Sequence, residues 1–192
     1  MTNLDIKEVY NAKKVLSSVL RKTPLIWSRR LNPDANIYIK PENMQYTGSF
    51  KLRGAYYKIS QLTDEEKSRG VIACSAGNHA QGVAYASNLL GVNSTIVMPQ
   101  TTPYLKVQST IDYGGNVVLH GECYDDSYLK AKELSESLNK TFIHPFDDLN
   151  IIYGQGTIAL EIFDQLKNVD VIICPIGGEG LISGISLAAK EI

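Results

Sequence analysis

The chain lacks the charge excess and the long apolar runs that mark nucleic-acid-binding and membrane proteins. Its 192 residues include 19 Lys and Arg against 20 Asp and Glu, which gives a formal net charge of −1 at pH 7. No apolar run approaches the ~20 residues of a membrane-spanning helix. The charge balance leaves no basic footprint for nucleic acid or for an acidic membrane surface. We therefore expect neither a membrane span nor a nucleic-acid partner.

Cysteine is scarce as well. The three cysteines, Cys74, Cys123 and Cys174, suit a reducing compartment and do not have metal-ligand spacing. Cys74 and Cys174 each end an apolar run, where a small core residue is the simplest role. Residues 1–5 contain neither the basic segment nor the apolar core of an export signal. We expect a cytoplasmic protein without a metal centre.

Among the residues that are present, Lys51 has the most informative setting. Residues 48–49 predict a turn, Phe50 is a bulky apolar neighbour, and residues 52–55 begin a helical pattern. An amine between apolar residues at a helix start is poorly solvated and lies near the positive end of the helix dipole, and both effects lower its pKa. Such a lysine can form a Schiff base. The alternative is an ordinary surface lysine of a helix, which is what most lysines are.

A second motif predicts a small-anion site. Residues 71–74 form a short apolar run typical of a buried parallel strand, and residues 75–82, Ser-Ala-Gly-Asn-His-Ala-Gln-Gly, follow at once. A helical pattern then continues to Leu90. Small residues let the backbone approach a ligand, Ser75 and Asn78 add polar side chains, and the helix N-terminus offers free N–H groups. The alternative is an ordinary capped helix after a strand.

A third motif predicts a phosphate cradle. Residues 171–174 read as another buried strand, and residues 177–181, Gly-Gly-Glu-Gly-Leu, lead into a helical stretch that continues to Ile192. The loop is not a Walker A motif, because no Gly-Lys-Ser/Thr follows. It also matches the dinucleotide fingerprint poorly, because Ser183 stands where the third glycine belongs. A phosphate without a nucleotide fits this loop better.

Strands and helices alternate along the chain without internal repeats, which predicts an α/β fold. The first helix begins near Ile6 with an apolar stripe, and Asp5 and Glu8 are placed as a capping pair. Strands are expected at residues 37–40, 71–74, 95–98, 117–119, 141–143 and 171–174.

One reactive amine, one small-anion loop and one phosphate loop together indicate pyridoxal phosphate, whose aldehyde, phosphate and amino-acid substrates need these three features. The chain also resembles the serine/threonine dehydratase family of fold-type II pyridoxal-phosphate enzymes. The resemblance covers nearly the whole chain and is carried by residues 40–55, 75–82, 144–148, 154–157 and 177–181.

The resemblance implies a role for each motif. Lys51 would hold the cofactor covalently and serve as the catalytic base, Phe50 would pack beside the cofactor ring, and Asn78 would bond its 3′-oxygen. The substrate carboxylate would be held by Ser75, Gly77, Asn78 and His79. The phosphate loop would consist of Gly177, Gly178, Glu179, Gly180 and Leu181. For the side chain of His79 we expect capping or packing rather than catalysis.

The implied activity is that of a threonine ammonia-lyase, which converts L-threonine, and L-serine as well, to 2-oxobutanoate or pyruvate plus ammonia. The Thr-Ser-Gly-Asn loop of the β-replacing cysteine synthases is absent. Serine racemases of the family resemble Ser-Ser-Gly-Asn-His, with the second serine as a proton donor, and Ala76 takes that position here. Elimination is therefore favoured, and racemase-like activity stays as an alternative. Threonine or serine preference, a biosynthetic (isoleucine) or catabolic role, and regulation stay open.

The resemblance also implies an architecture like that of the tryptophan synthase β subunit, with two open, twisted parallel-sheet domains. Residues 50–145 would form the small domain, and residues 1–49 and 146–192 would belong to a larger domain that is incomplete here. The full-length form is expected to be a homo-oligomer, a dimer or a tetramer.

Two departures from the family pattern bear on activity. Family members usually have glycine where Glu179 stands, and a carboxylate about 5 Å from a phosphate charge repels it by roughly 3 kcal/mol at an effective dielectric constant of 20. A positive φ there would add roughly 1–2 kcal/mol. We expect weakened rather than abolished cofactor binding. The chain also stops at Ile192 inside a predicted helix, so a truncated and catalytically silent fragment is the main rival hypothesis.

Overall fold

The computed structural model describes residues 4–191, in which helices and short strands alternate as an α/β fold. The helices are α1 (Ile6–Leu16), α2 (Lys51–Ser60), α3 (Asp64–Arg69), α4 (Asn78–Leu89), α5 (Tyr104–Asp112), α6 (Tyr124–Ser137), α7 (Leu149–Gln165) and α8 (Gly180–Glu191). The strands are β1 (Ile26–Trp27), β2 (Tyr38–Ile39), β3 (Val71–Cys74), β4 (Ser94–Met98), β5 (Asn116–Leu119) and β6 (Thr141–Phe142). Within this part of the chain, no helix is long and apolar enough to cross a membrane.

A four-stranded parallel sheet in the order β5-β4-β3-β6 forms the centre of the first core. Every residue of β3 and β4 is buried, as expected for a parallel sheet that is covered on both faces. Alternate residues of β3 point to opposite faces: Val71 and Ala73 pack with α2 and α4, whereas Ile72 and Cys74 pack with α6. The strands predicted at 71–74, 95–98, 117–119 and 141–143 are confirmed to within one residue.

The N-terminal segment follows the prediction in part. Asp5 caps α1 as expected, because its carboxylate accepts a hydrogen bond from the Lys7 amide at 2.9 Å. Glu8 does not complete a capping pair. Its carboxylate accepts instead from the Tyr57 hydroxyl at 3.2 Å, which ties α1 to α2. The strand predicted at 37–40 exists as β2, and it pairs antiparallel with β1, which was not predicted.

The strand predicted at residues 171–174 is wrong for this structure. The segment is irregular, and the side chains of Val171 and Ile173 are 75% and 95% exposed. An apolar run becomes a strand only where a neighbouring strand supplies hydrogen-bond partners. Within residues 4–191, no strand pairs with residues 171–174. The helix predicted after it begins at Gly180, and its predicted end at Ile192 lies outside the described residues.

Glycines let α2, α7 and α8 pack with their backbones almost in contact. A Cβ on Gly154 of α7 would lie 2.6 Å from the Gly54 Cα of α2. A Cβ on Gly156 would lie 2.8 Å from the carbonyl oxygen of Gly184 in α8. These three helices and α1 enclose the second apolar core. Because Lys51 is the first residue of α2, this packing fixes the position of the Lys51 backbone.

A buried charge cluster joins the same helices to the N-terminal segment. The side chain of Arg53 is 1% exposed, and its guanidinium donates to Glu42 at 2.7 Å and to Glu161 at 2.7 Å. Lys40 donates to Glu161 at 2.6 Å and to the Thr23 carbonyl at 2.6 Å. Burial alone would lower the pKa of Arg53, but the bonds to Glu42 and Glu161 outweigh it and raise that pKa. Two cations therefore balance two carboxylates, which a buried cluster requires.

We expect Gly154→Ala to lower the free energy of unfolding by about 1–3 kcal/mol, because its Cβ would push α7 away from α2. Urea unfolding followed by circular dichroism measures the change. The sign is informative, because Gly→Ala inside an unhindered helix raises stability by about 1 kcal/mol. An increase of that size would contradict the close crossing of the two helices.

Candidate active site

Lys51 lies half-buried at the N-terminus of α2, with its amine held by the backbone of a distant segment. The Nζ atom donates a hydrogen bond to the carbonyl oxygen of Pro145 at 2.7 Å. It lies 5.5 Å from the centre of the Phe50 ring. Burial lowers the pKa of the Lys51 amine from its usual 10.5, because the ammonium form is poorly solvated there. The prediction of a desolvated amine is therefore confirmed.

The predicted phosphate loop and Lys51 share one cavity of about 300 Å³. Its lining consists of Phe50, Lys51, Phe146, Pro175, Ile176, Gly177, Gly178, Glu179, Gly180 and Leu181. The loop precedes α8, so its backbone lies at a helix N-terminus, where free N–H groups favour an anion. The structure therefore brings together two motifs that lie far apart in the sequence.

The glycine loop is shaped by Phe146. A Cβ on Gly178 would overlap the Phe146 ring, and a Cβ on Gly180 would lie 2.8 Å from the Phe146 carbonyl oxygen. Glu179 between them has φ of 67°, a left-handed conformation that disfavours a side chain. The conformational strain considered for Glu179 is therefore present, and its side chain is exposed. Contact with Phe146 requires glycine at 178 and 180, whereas Glu179 lines the cavity with an exposed side chain that has room at this position.

The predicted small-anion loop lies beside Lys51 at the start of α4. The Ser75 hydroxyl accepts a hydrogen bond from the Gly77 amide at 3.2 Å, and the exposed Asn78 begins the helix. A Cβ on Gly82 would lie 3.1 Å from the Leu52 amide nitrogen, so the first turns of α4 rest on the backbone of α2. Space around Gly77 is open, which leaves the loop backbone accessible. The N-termini of α2 and α4 are thus neighbours.

The imidazole of His79 does not face open space. It is 3% exposed, and its Nε2 lies 2.9 Å from the carbonyl oxygen of Ile143. Burial lowers the pKa of His79 to about 4, so the ring is neutral at pH 7. This agrees with the packing role expected for its side chain. Only the backbone N–H of His79 remains for a substrate carboxylate.

Three residues of the cavity lining, Phe146, Pro175 and Ile176, were not singled out from the sequence. Neither was Pro145, whose carbonyl oxygen accepts the hydrogen bond from Lys51. Pro145 and Phe146 belong to a motif that carried the family resemblance, but nothing in its composition assigns them a role. Their parts follow from long-range contacts, since Lys51 and Pro145 are 94 positions apart. The available signal was the position of this motif between the end of one predicted strand and the next helix.

The residues of the cavity fit pyridoxal phosphate. A desolvated amine can bond to its aldehyde, and the glycine loop at the α8 N-terminus can receive its phosphate. The single mismatch is Glu179, whose negative charge opposes a phosphate, although its exposed side chain can turn to solvent. Among residues 4–191 there is no cluster of three His, Cys, Asp or Glu side chains that could hold a metal ion.

Solved structures have a similar fold over nearly the whole of this chain. The processed form of threonine deaminase isoform 2 from Solanum lycopersicum aligns with a TM-score of 0.92 and 43% identity, over 98% of this chain and 54% of that protein. Maize serine racemase aligns with a TM-score of 0.94 and 36% identity, over 97% of this chain and 57% of that protein.

Curated relatives also match nearly all of this chain but only about half of their own length. The L-threonine dehydratase TdcB (catabolic) of Staphylococcus aureus is 48% identical over 98% of this chain and 55% of its own length. The L-threonine ammonia-lyase of Thermotoga maritima is 46% identical over 98% of this chain and 48% of its own length. The chain thus spans about half the length of the curated relatives that it matches. A family model matches residues 16–192, and the chain belongs to the family of pyridoxal-phosphate dependent enzymes.

Proposed function

We propose that this chain carries the cofactor-anchoring part of a threonine ammonia-lyase that deaminates L-threonine and L-serine. The observation that carries the proposal is the desolvated amine of Lys51, which lies in one cavity with a glycine loop at a helix N-terminus. The similarity to threonine dehydratases over 98% of the chain supports the substrate class. The family supports pyridoxal phosphate as the cofactor.

Each motif then has a chemical task. When bound, the cofactor supplies an electron sink for the carbanion that forms at the substrate Cα. Lys51 anchors it and moves the α-proton, because burial lowers the pKa of its amine and so makes the base form easier to reach. The backbone at Gly77 and the first turn of α4 orients the substrate carboxylate, together with Ser75 and Asn78. Phe50 covers the amine on its apolar side.

The overall reaction balances without another reactant. Threonine loses its α-proton and its β-hydroxyl as water, and one water then releases ammonia to leave 2-oxobutanoate. Serine gives pyruvate in the same way. The protein must therefore manage protons and exclude water, and no oxidant or reductant is required.

Two alternatives to the lyase function each have one observation in their favour. Similarity to maize serine racemase favours racemisation, but Ala76 has no proton to deliver to the opposite face of the substrate. A catalytically silent chain is favoured by the apolar residues Val171 and Ile173, which precede the glycine loop by a few positions and are 75% and 95% exposed. The proposal further places the protein in the cytoplasm as a homo-oligomer, in keeping with its free cysteines.

We expect pyridoxal phosphate followed by borohydride to label Lys51 and to leave Lys51→Ala unlabelled. Peptide mass locates the label. Lys140→Ala is the matched control, because burial also lowers the pKa of Lys140, yet Lys140 does not line the cavity. Label scattered over surface lysines would contradict the proposal, whereas label at Lys51 without ammonia release from threonine would support the silent alternative.

Because burial favours the neutral amine, we expect the reactivity of Lys51 to rise with pH and to reach half its plateau below pH 10.5. Brief pulses of trinitrobenzenesulfonate at a series of pH values, quantified by peptide mass, measure this titration. A midpoint at or above 10.5 would show that the amine is fully solvated.

Two variants distinguish the effect of the Glu179 charge from the effect of its backbone strain. We expect Glu179→Gln and Glu179→Gly both to tighten pyridoxal-phosphate binding about fivefold at low salt, since both remove the charge. Only Glu179→Gly should also raise stability, because the left-handed strain exists in the free protein. Dissociation constants from absorbance titration measure the first effect and urea unfolding the second. Pyridoxal, which lacks the phosphate, is the control ligand, and an equal gain for it would refute the electrostatic account.

A further inference from the structure

Residues 143–146, which we call the strap, connect the two features of the candidate site. The strap follows β6 and precedes α7. Its Pro145 carbonyl accepts the hydrogen bond from the Lys51 amine at 2.7 Å. Its Phe146 ring sets the shape of the glycine loop through Gly178 and Gly180. A displacement of the strap would therefore alter the lysine and the loop together.

His79 holds the strap from the side of the small-anion loop. A carbonyl oxygen can only accept, so the His79 Nε2, 2.9 Å from the Ile143 oxygen, carries the hydrogen and donates it. The Ile143 amide donates to the carbonyl oxygen of Ile72 in β3 at 2.8 Å. Both backbone groups of this fully buried residue are thereby fixed, one by the sheet and one by α4. The imidazole is the only side chain among these anchors.

The orientation of the Lys51 amine depends on the Pro145 carbonyl. A neutral amine has two hydrogens and one lone pair, and donating one hydrogen to this carbonyl directs the lone pair away from it. The proline ring restricts φ at that position, so the place of the Pro145 carbonyl group follows the chain that enters from Ile143. A shift at Ile143 would thus move the acceptor of the Lys51 hydrogen bond, and the amine with it.

We propose that His79 is a positioning residue for Lys51, acting through the Ile143 carbonyl and the strap to point the lysine amine into the cavity. This inference deepens the proposed function and rests on Lys51 being the reactive amine. It assigns the buried imidazole a task at the site that involves no contact with substrate or cofactor.

Two substitutions at His79 separate positioning from packing. The amide nitrogen of glutamine falls near the place of the histidine Nε2, so His79→Gln can keep the bond to Ile143. The shorter side chain in His79→Asn keeps a polar amide but cannot reach. Ser127→Ala is the matched control, because the buried Ser127 hydroxyl also ties a helix to a backbone carbonyl, that of His120 at 2.7 Å, in a different part of the fold.

The readout is the rate at which trinitrobenzenesulfonate labels Lys51, normalised to the exposed Lys7 in the same sample. We expect His79→Asn to lower this rate about tenfold, as for a misplaced reacting group. His79→Gln should restore it to within about twofold of the unaltered protein. Ser127→Ala should leave it unchanged even where its unfolding midpoint falls as far as that of His79→Asn.

Equal labelling in His79→Asn and the unaltered protein, or an equal loss in His79→Gln, would overturn the proposal. If His79→Asn does not fold, Pro145→Ala tests the same connection from the strap, because it keeps the carbonyl and removes the restriction on φ that places it. Labelling of Lys51 in Pro145→Ala at the unaltered rate would then refute the positioning role. The reagent needs no cofactor, so His79-dependent labelling without any pyridoxal-phosphate adduct would refute the proposed function and leave the positioning role intact.

Discussion

The pairing of Arg53 with Glu42 and Glu161 is the interaction on which the rest of the structure depends. It joins the N-terminal segment, α2 and α7 at one buried point, and Lys40 completes the charge balance. Removing one partner of a buried ion pair destabilises a protein by about 3–5 kcal/mol, because the remaining charge is left without compensation. Because of that cost, we expect the charge cluster to form completely or not at all. Since Arg53 and Lys51 share one helix, the cluster that holds the fold also fixes the reactive amine.

The candidate site is a meeting place of helix N-termini. Lys51 begins α2, Asn78 begins α4 and Gly180 begins α8. Each terminus adds positive potential from unpaired backbone N–H groups, and together they favour anions and disfavour an ammonium ion. This geometry therefore favours the binding of carboxylate or phosphate, and the burial of Lys51 lowers the pKa of its amine. Among residues 4–191, Glu179 is the one acidic residue in the cavity lining, and its charge opposes an anion there.

The sequence predicted most of this arrangement, and its failures have physical causes. The runs at 71–74 and 95–98 were predicted well because local pattern and tertiary burial agree there: both strands have partners on each side. The run at 171–174 is similarly apolar, but strand pairing is a non-local property that composition does not report. Lys51 and the glycine loop were recognised because the residues next to each of them in the sequence indicate its chemistry. Pro145 was missed because its role is a contact made across 94 positions.

The irregular apolar segment before the glycine loop, residues 171–176, also affects self-association of the chain at high concentration. Val171, Ile173 and Ile176 present apolar side chains to water, on a backbone without a strand partner. An unpaired, apolar chain segment is the kind of surface through which proteins associate with copies of themselves. Attraction between such surfaces grows with concentration and weakens on cooling, as hydrophobic association does. The stretch that adjoins the candidate active site therefore adds to the tendency of the chain to self-associate, and dilute, cold solutions oppose that tendency.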